Sequence, residues 1–262
     1  MNSYNSLHIT LVQTPIVWEN PEENRSLLSN KIKAITNATD LIILPEMFTT
    51  GFTMTPSNIK KNEGLKTLNW MQDIAKEKQT AITGSIPFFE DDNFYNRLFF
   101  VFPNGTFQTY NKKHTFTLAG EDKVYKAGSK KLIVDYKGFK ICPLVCYDLR
   151  FPVWARNTKD YDILLYVANW PKQRIAAWDT LLKARAIENM SYCIGVNRVG
   201  TDNFNYEYTG HSAVYDTLGK ELCFSTTEEI IHTVLHKQHI AETRTKLKFL
   251  EDRDAFTLQF EN

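Results

Sequence analysis

At 262 residues, 43% of them hydrophobic, the chain is long enough to bury a large core in one layered domain. A formal net charge of +1 gives neither nucleic acid nor an anionic membrane surface a reason to bind. No apolar run approaches the ~18 residues of a membrane span. The four cysteines (Cys142, Cys146, Cys193 and Cys223) show neither metal-ligand spacing nor a C-x-x-C pair, which fits free thiols in a reducing compartment. The stretch from Met1 to His8 lacks the basic and apolar regions of a signal peptide, so a soluble cytoplasmic protein is expected.

Residues 7–13 alternate in part and read as a first strand. Over 20–36, Leu27, Leu28, Ile32 and Ile35 recur at helical spacing, as on an amphipathic helix laid on a sheet. Leu41 to Leu44 is a short buried strand, and it runs into Pro45-Glu46-Met47-Phe48. On this stretch alone Glu46 reads equally as a loop acid or as a paired carboxylate, because an unpaired one is costly there. Residues 49–62 form a loop, 64–78 a second helix and 80–86 a third strand, in which Gly84 allows a close backbone approach. The strands 95–102 and 107–110 make a hairpin around Pro103-Asn104-Gly105-Thr106. The polar run 111–130, with Lys112, Lys113, His114, Glu121 and Asp122, reads as a solvated face.

Ile141-Cys142-Pro143-Leu144-Val145 is apolar enough for a strand buried on both faces. The chain then turns polar through Cys146-Tyr147-Asp148-Leu149-Arg150 and meets Phe151-Pro152, where Pro can open a helix. Taken alone, Cys146 is a small buried hydrophobe; at the carboxyl end of a strand it also stands where α/β folds gather reactive groups. A short helix at 153–159, a strand at 162–168 ending in Asn169-Trp170-Pro171, a helix at 175–190 and strands at 191–199, 210–215 and from 222 onward complete the pattern. Strands alternating with helices and no composition break give one α/β domain over 1–262, with 238–262 a C-terminal tail that reads as a flexible end.

Three of these stretches carry a likeness. Leu44-Pro45-Glu46-Met47-Phe48, Tyr110-Asn111-Lys112-Lys113-His114 and Cys146-Tyr147-Asp148-Leu149-Arg150-Phe151-Pro152 resemble, in order and at similar intervals, the three signature motifs of the nitrilase superfamily of carbon–nitrogen hydrolases. The resemblance implies a four-layer αββα sandwich and a Glu-Lys-Cys triad at Glu46, Lys112 and Cys146. Glu121 matches, more loosely, a second glutamate that supports the lysine. In such a site the thiol attacks a carbonyl carbon, with Glu46 moving the proton, and the lysine lowers the thiol pKa toward roughly 3.5–7.5. Lys112 and the backbone N–H of Tyr147 would hold the oxyanion. No metal or organic cofactor is implied, and a homodimer is usual.

The run after Cys146 resembles the omega-amidase branch, whose members release ammonia from 2-oxoglutaramate or 2-oxosuccinamate. Such a small-molecule amide carries a carboxylate, for which Arg150 and Arg174 are candidate partners, though half of a structural ion pair is the commoner place for each. Trp170 is a cavity wall or ordinary core. A carbamoyl-amino-acid hydrolase, a nitrilase and a catalytically idle binding protein remain the alternatives. If the chain stays extended past the hairpin, Lys112 and Lys113 leave on opposite faces.

Overall fold

The computed structural model describes residues 5–259; Met1 to Tyr4 of the N-terminal reading and residues 260–262 of the tail lie outside them. In chain order the described elements are β1 (Ser6–Gln13), α1 (Pro21–Lys33), β2 (Leu41–Ile43), α2 (Glu63–Lys78), β3 (Ala81–Glu90), β4 (Asn93–Val101) and β5 (Phe107–Asn111). Then come β6 (Val134–Tyr136), β7 (Phe139–Val145), α3 (Pro152–Ala155), β8 (Ile163–Val167), α4 (Ile175–Asn189) and β9 (Tyr192–Val196). The last are β10 (Val199–Thr201), β11 (Glu207–Thr209), β12 (Ser212–Tyr215), β13 (Glu221–Ser225), β14 (Glu229–His236) and α5 (Lys237–Leu247).

One six-stranded sheet runs β14-β1-β2-β3-β4-β5 and a second β13-β12-β9-β8-β7-β6. Each has a parallel centre, β1-β2-β3 in the first and β7-β8-β9 in the second. The two-residue period of the strands sorts their side chains between layers. Leu7, Ile9 and Leu11 of β1, Leu41 and Ile43 of β2, and Leu98 and Phe100 of β4 share the core that also takes in the second sheet. Their neighbours Val12, Ile42, Phe99 and Val101 pack instead with Leu28 and Ile32 of α1 and Leu68, Met71 and Ile74 of α2. On the far side Trp178, Leu182 and Ala186 of α4 join the second sheet. The result is the expected αββα sandwich. Each such Leu, Ile or Phe contributes roughly 1.5–3 kcal/mol by leaving water.

Three local readings are corrected. The strand read at 80–86 continues to Glu90 and returns as β4 through Asp91 and Asp92, both in left-handed conformation (φ 48 and 58). Without the Asn-Gly or Asp-Gly pair that marks such turns, this hairpin left little trace in the sequence. Leu27 and Ile187 point outward, at 41% and 48% exposure, so the helical stripes are narrower than read. The tail begins as a helix: Ile240 of α5 is buried, and Arg244 donates to the backbone oxygens of Met190 and Tyr161. A flexible end is therefore the wrong description for residues 238–247.

Candidate active site

The carboxyl ends of β2, β5, β7 and β8 converge where the two sheets face each other. After β2 the chain is pinned to β3: Leu44 N–H donates to Thr83 O, Met47 N–H to Ser85 Oγ and Phe48 N–H to Ser85 O. Gly84 makes this possible, since a Cβ there would come within 2.8 Å of Phe48 Cδ1 and 2.9 Å of Leu44 Cβ. Glu46, wholly buried, is thereby aimed inward. Its Oε1 accepts from Lys112 Nζ at 2.9 Å and from Asn96 Nδ2 at 2.8 Å, and its Oε2 from Asn169 N–H at 2.8 Å.

Lys112 leaves the end of β5 and is 1% exposed. Its ammonium also donates to both oxygens of Glu121, at 3.0 and 2.8 Å. Glu121 is equally buried and takes a further bond from Phe116 N–H at 2.6 Å. The solvated-face reading of 111–130 therefore fails at Lys112, Glu121 and Tyr125, which fold inward because each finds a buried partner. Burial opposes the charge on Lys112, but Glu121 and Glu46 outweigh it and hold the ammonium above its ordinary pKa. For Glu121 burial dominates and, despite Lys112, leaves its carboxyl pKa raised. Lys113 is half-buried and lines an outer groove with His114, Phe151 and Trp154, on the other side of the strand.

Cys146 follows β7 in a left-handed conformation, φ 46, which costs a non-glycine residue about 1–3 kcal/mol. It opens a 3₁₀ turn, Cys146–Arg150, and its thiol faces the Glu46 and Lys112 charges. Here the expectation of a lowered thiol pKa is overturned. Burial and the neighbouring carboxylate push Cys146 well above the ordinary thiol value, and the opposing pull of Lys112 is smaller. The resting cysteine is therefore a thiol, with Glu46 nearby as the group that could accept its proton.

Of Glu46, Lys112 and Cys146, the cysteine lines a cavity of about 370 Å³; the other two lie behind it. Tyr147, Arg150, Asn169, Trp170 and Arg174 line the same cavity, so every residue singled out for substrate binding is there. Trp170 is both wall and core: it is 3% exposed, its ring lies 5.4 Å from that of Trp178, and its Nε1 donates to Arg174 O. The guanidinium of Arg150 lies 5.0 Å from the Trp170 ring, and that of Arg174 5.1 Å from Phe116. Among the described residues neither arginine forms an ion pair; each guanidinium instead lies over an aromatic ring in the cavity. The acid in the cavity, Asp202, is occupied by Phe204 N–H, Tyr206 N–H and the Tyr208 hydroxyl.

Two site residues escaped the reading of the sequence. Asn96 bridges Glu46 and Glu121, and Asn169 donates its backbone N–H to the Glu46 carboxylate and its Nδ2 to Glu46 O at 2.6 Å. A signal existed for each. Asn96 shares the strand parity of the inward-facing Leu98 and Phe100, and Asn169 stands at a strand's carboxyl end.

The comparisons with known proteins agree with this geometry. A sequence profile of the carbon–nitrogen hydrolase family matches residues 8–245. Omega-amidase YafV of Escherichia coli is 41% identical over 256 residues, covering 96% of this chain and 98% of its own length. The 2-oxoglutaramate amidase of Bacillus subtilis is 31% identical over 250 residues, covering 93% and 96%. XC1258 of Xanthomonas campestris, a CN-hydrolase superfamily protein solved with an arsenic adduct in its active site, superimposes with a TM-score of 0.94 at 39% identity, covering 97% of this chain and 99% of that one. Since the family match covers residues 8–245 and the relatives cover nearly the whole chain, the chain belongs to the carbon–nitrogen hydrolase family.

Proposed function

We propose that this enzyme hydrolyses the terminal amide of small 2-oxo acid amides such as 2-oxoglutaramate and 2-oxosuccinamate, giving the dicarboxylic oxo acid and ammonia. Glu46 takes the thiol proton as Cys146 Sγ attacks the amide carbon. The oxyanion is held by Lys112 Nζ and Tyr147 N–H; one such donor is worth about 3–4 kcal/mol. Glu46 returns the proton to nitrogen, the C–N bond breaks and ammonia leaves a thioester on Cys146. A water then gives a proton to Glu46 and its oxygen to the carbonyl carbon, the C–S bond breaks, and sulfur regains its proton. Glu121 keeps Lys112 charged and in place. These steps use no group beyond the side chains named and water. The single domain and cytoplasmic location expected from the sequence, and the homodimer that the resemblance implies, belong to the same proposal.

The observation that carries the substrate reading is the pair of guanidiniums, Arg150 and Arg174, without ion-pair partners in the cavity above the thiol. A substrate carboxylate supplies the missing anion. The names of the Escherichia coli and Bacillus subtilis relatives support the same class. Ammonia release should be fastest with the two oxo-acid amides in a panel that also holds simple amides, nitriles and N-carbamoyl amino acids. Preference for a nitrile or a carbamoyl compound would sink the reading in favour of that class.

The arginines make a second expectation. Arg150→Lys and Arg174→Lys should each raise KM for 2-oxoglutaramate, by roughly 10- to 150-fold where a charge-assisted bond worth about 1.5–3 kcal/mol is lost. KM for a short neutral amide should hardly move. Equal changes on both substrates would mean that the arginines shape the cavity without reading the carboxylate.

A further inference from the structure

Cys146 and Lys112 stand at the ends of strands in different sheets, and no ladder of backbone bonds joins β5 to β7. Side chains therefore help set their relative placement, and that of Asp148 bonds to both segments. Asp148, wholly buried, accepts four hydrogen bonds. Its Oδ2 takes Val145 N–H at 3.0 Å, the peptide immediately before the nucleophile, and the Tyr110 hydroxyl at 2.8 Å. Its Oδ1 takes His114 N–H at 3.0 Å and His114 Nδ1 at 2.8 Å. Tyr110 lies two residues before Lys112 and His114 two residues after it, so the lysine is gripped on both sides.

The grip extends outward. The Tyr110 oxygen also accepts from Lys113 N–H and Trp154 Nε1, each at 3.1 Å. The His114 ring stacks on Phe151 at 3.7 Å between centroids, nearly parallel at 5°. Asp148 therefore ties the lysine segment to the turn that follows β7 and to the residues beyond it. A carboxylate suits this place because it alone offers two acceptor oxygens; an asparagine would turn an amide N–H₂ toward a donor. The left-handed backbone of Cys146 needs such fastening, since a strained conformation persists only where its surroundings over-determine it.

We propose that Asp148 is the positioning residue of this site, one buried carboxylate that sets the thiol of Cys146 and the ammonium of Lys112 in register across the two sheets. The proposal rests on the reading in which these two residues do the chemistry. A displacement near 1 Å costs about 100-fold in rate, so Asp148→Asn should lower kcat by that order while KM stays close to that of the unaltered enzyme. Alkylation of Cys146 by iodoacetamide should slow severalfold, because the ammonium that favours the thiolate is no longer held against it. Tyr110→Phe keeps the ring, deletes one of the four bonds and takes the acceptor from Lys113 N–H and Trp154 Nε1, so it should lower kcat by a smaller factor and also lower the thermal midpoint.

A merely structural Asp148 would lower the midpoint and leave kcat and alkylation unchanged. Folded Asp148→Asn within twofold of the unaltered enzyme in both would therefore overturn the proposal. Should that variant fail to fold, Tyr110→Phe, assayed below its own midpoint, decides: an unchanged kcat and alkylation rate overturn the proposal, and a reduced kcat together with slowed alkylation supports it. Alkylation needs no amide substrate. An unaltered enzyme inert toward every amide would defeat the functional reading alone, and the alkylation comparison would still judge Asp148.

Discussion

Lys112→Met should abolish turnover and also lower the unfolding free energy by about 3–5 kcal/mol, the cost of breaking a buried ion pair from one side. The substitution removes the group that holds the oxyanion, and it strands Glu46 and Glu121. Both carboxylates are fully buried and both already accept from Asn96. Without the ammonium, one of them folds only if it takes up a proton. A carboxyl whose folded pKa is raised binds more protons in the folded chain than in the unfolded one. Its folded form then loses stability as pH rises above the unfolded value of about 4.3. Glu121 already leans that way in the unaltered protein. The Lys112→Met variant should therefore have a higher thermal midpoint at pH 5 than at pH 8. Adding Glu121→Gln should restore much of the midpoint and none of the activity. A single variant as stable as the unaltered protein at pH 8 would show that the two carboxylates are not charged together in the native site.

Glu46→Gln should separate hydrolysis from simple thiol reactivity. Loss of the proton carrier should cut ammonia release by about 10³-fold, within the 10²–10⁴-fold typical of a general base. Alkylation of Cys146 by iodoacetamide near neutral pH should nevertheless become faster. Burial raises the thiol pKa in either form, but the negative charge of Glu46 raises it further, against the pull of Lys112. Glutamine removes that charge and leaves the lysine. Mass-mapped labelling should find the added group on Cys146, since Cys142 and Cys193 are wholly buried and Cys223 is pushed up to about 12 chiefly by burial. Slower alkylation than in the unaltered enzyme would be falsifying evidence for this account of the thiol.

Much of the site was legible because its chemistry sits in short contiguous runs at strand ends. Glu46, Cys146 and Arg150 each follow an apolar stretch whose termination shows in the sequence, and Lys112 follows the hairpin that Asn104-Gly105 announces. What stayed hidden depends on distance along the chain. Nothing near Glu121 marks it as buried, because its partner Lys112 and the bridging Asn96 approach it only after β4 and β5 have paired and the loop has folded back. The direction of the Cys146 shift failed for a related reason. A neighbouring lysine was legible, but the depth of burial and the nearness of a carboxylate from another sheet were not. The hairpin at Asp91-Asp92 was missed because two aspartates took the left-handed positions that glycine would have advertised.

The placement of the triad on both sheets has a consequence for folding. Glu46 belongs to the first sheet, Cys146 and the Asn169 that bonds Glu46 to the second, and 123 residues separate Glu46 from Asn169. The first sheet is itself closed late in the chain, where β14 pairs with β1 from Ser6 opposite His236 to Gln13 opposite Glu229. Each sheet can acquire its helices and parallel centre from nearby sequence, yet neither half alone holds a base beside a thiol. Contacts of such long separation form slowly because the loop entropy must be overcome first. If Glu46 and Cys146 do the chemistry as proposed, hydrolytic competence waits for the docking of the two halves, and a partly folded chain without that docking holds its cysteine apart from the base.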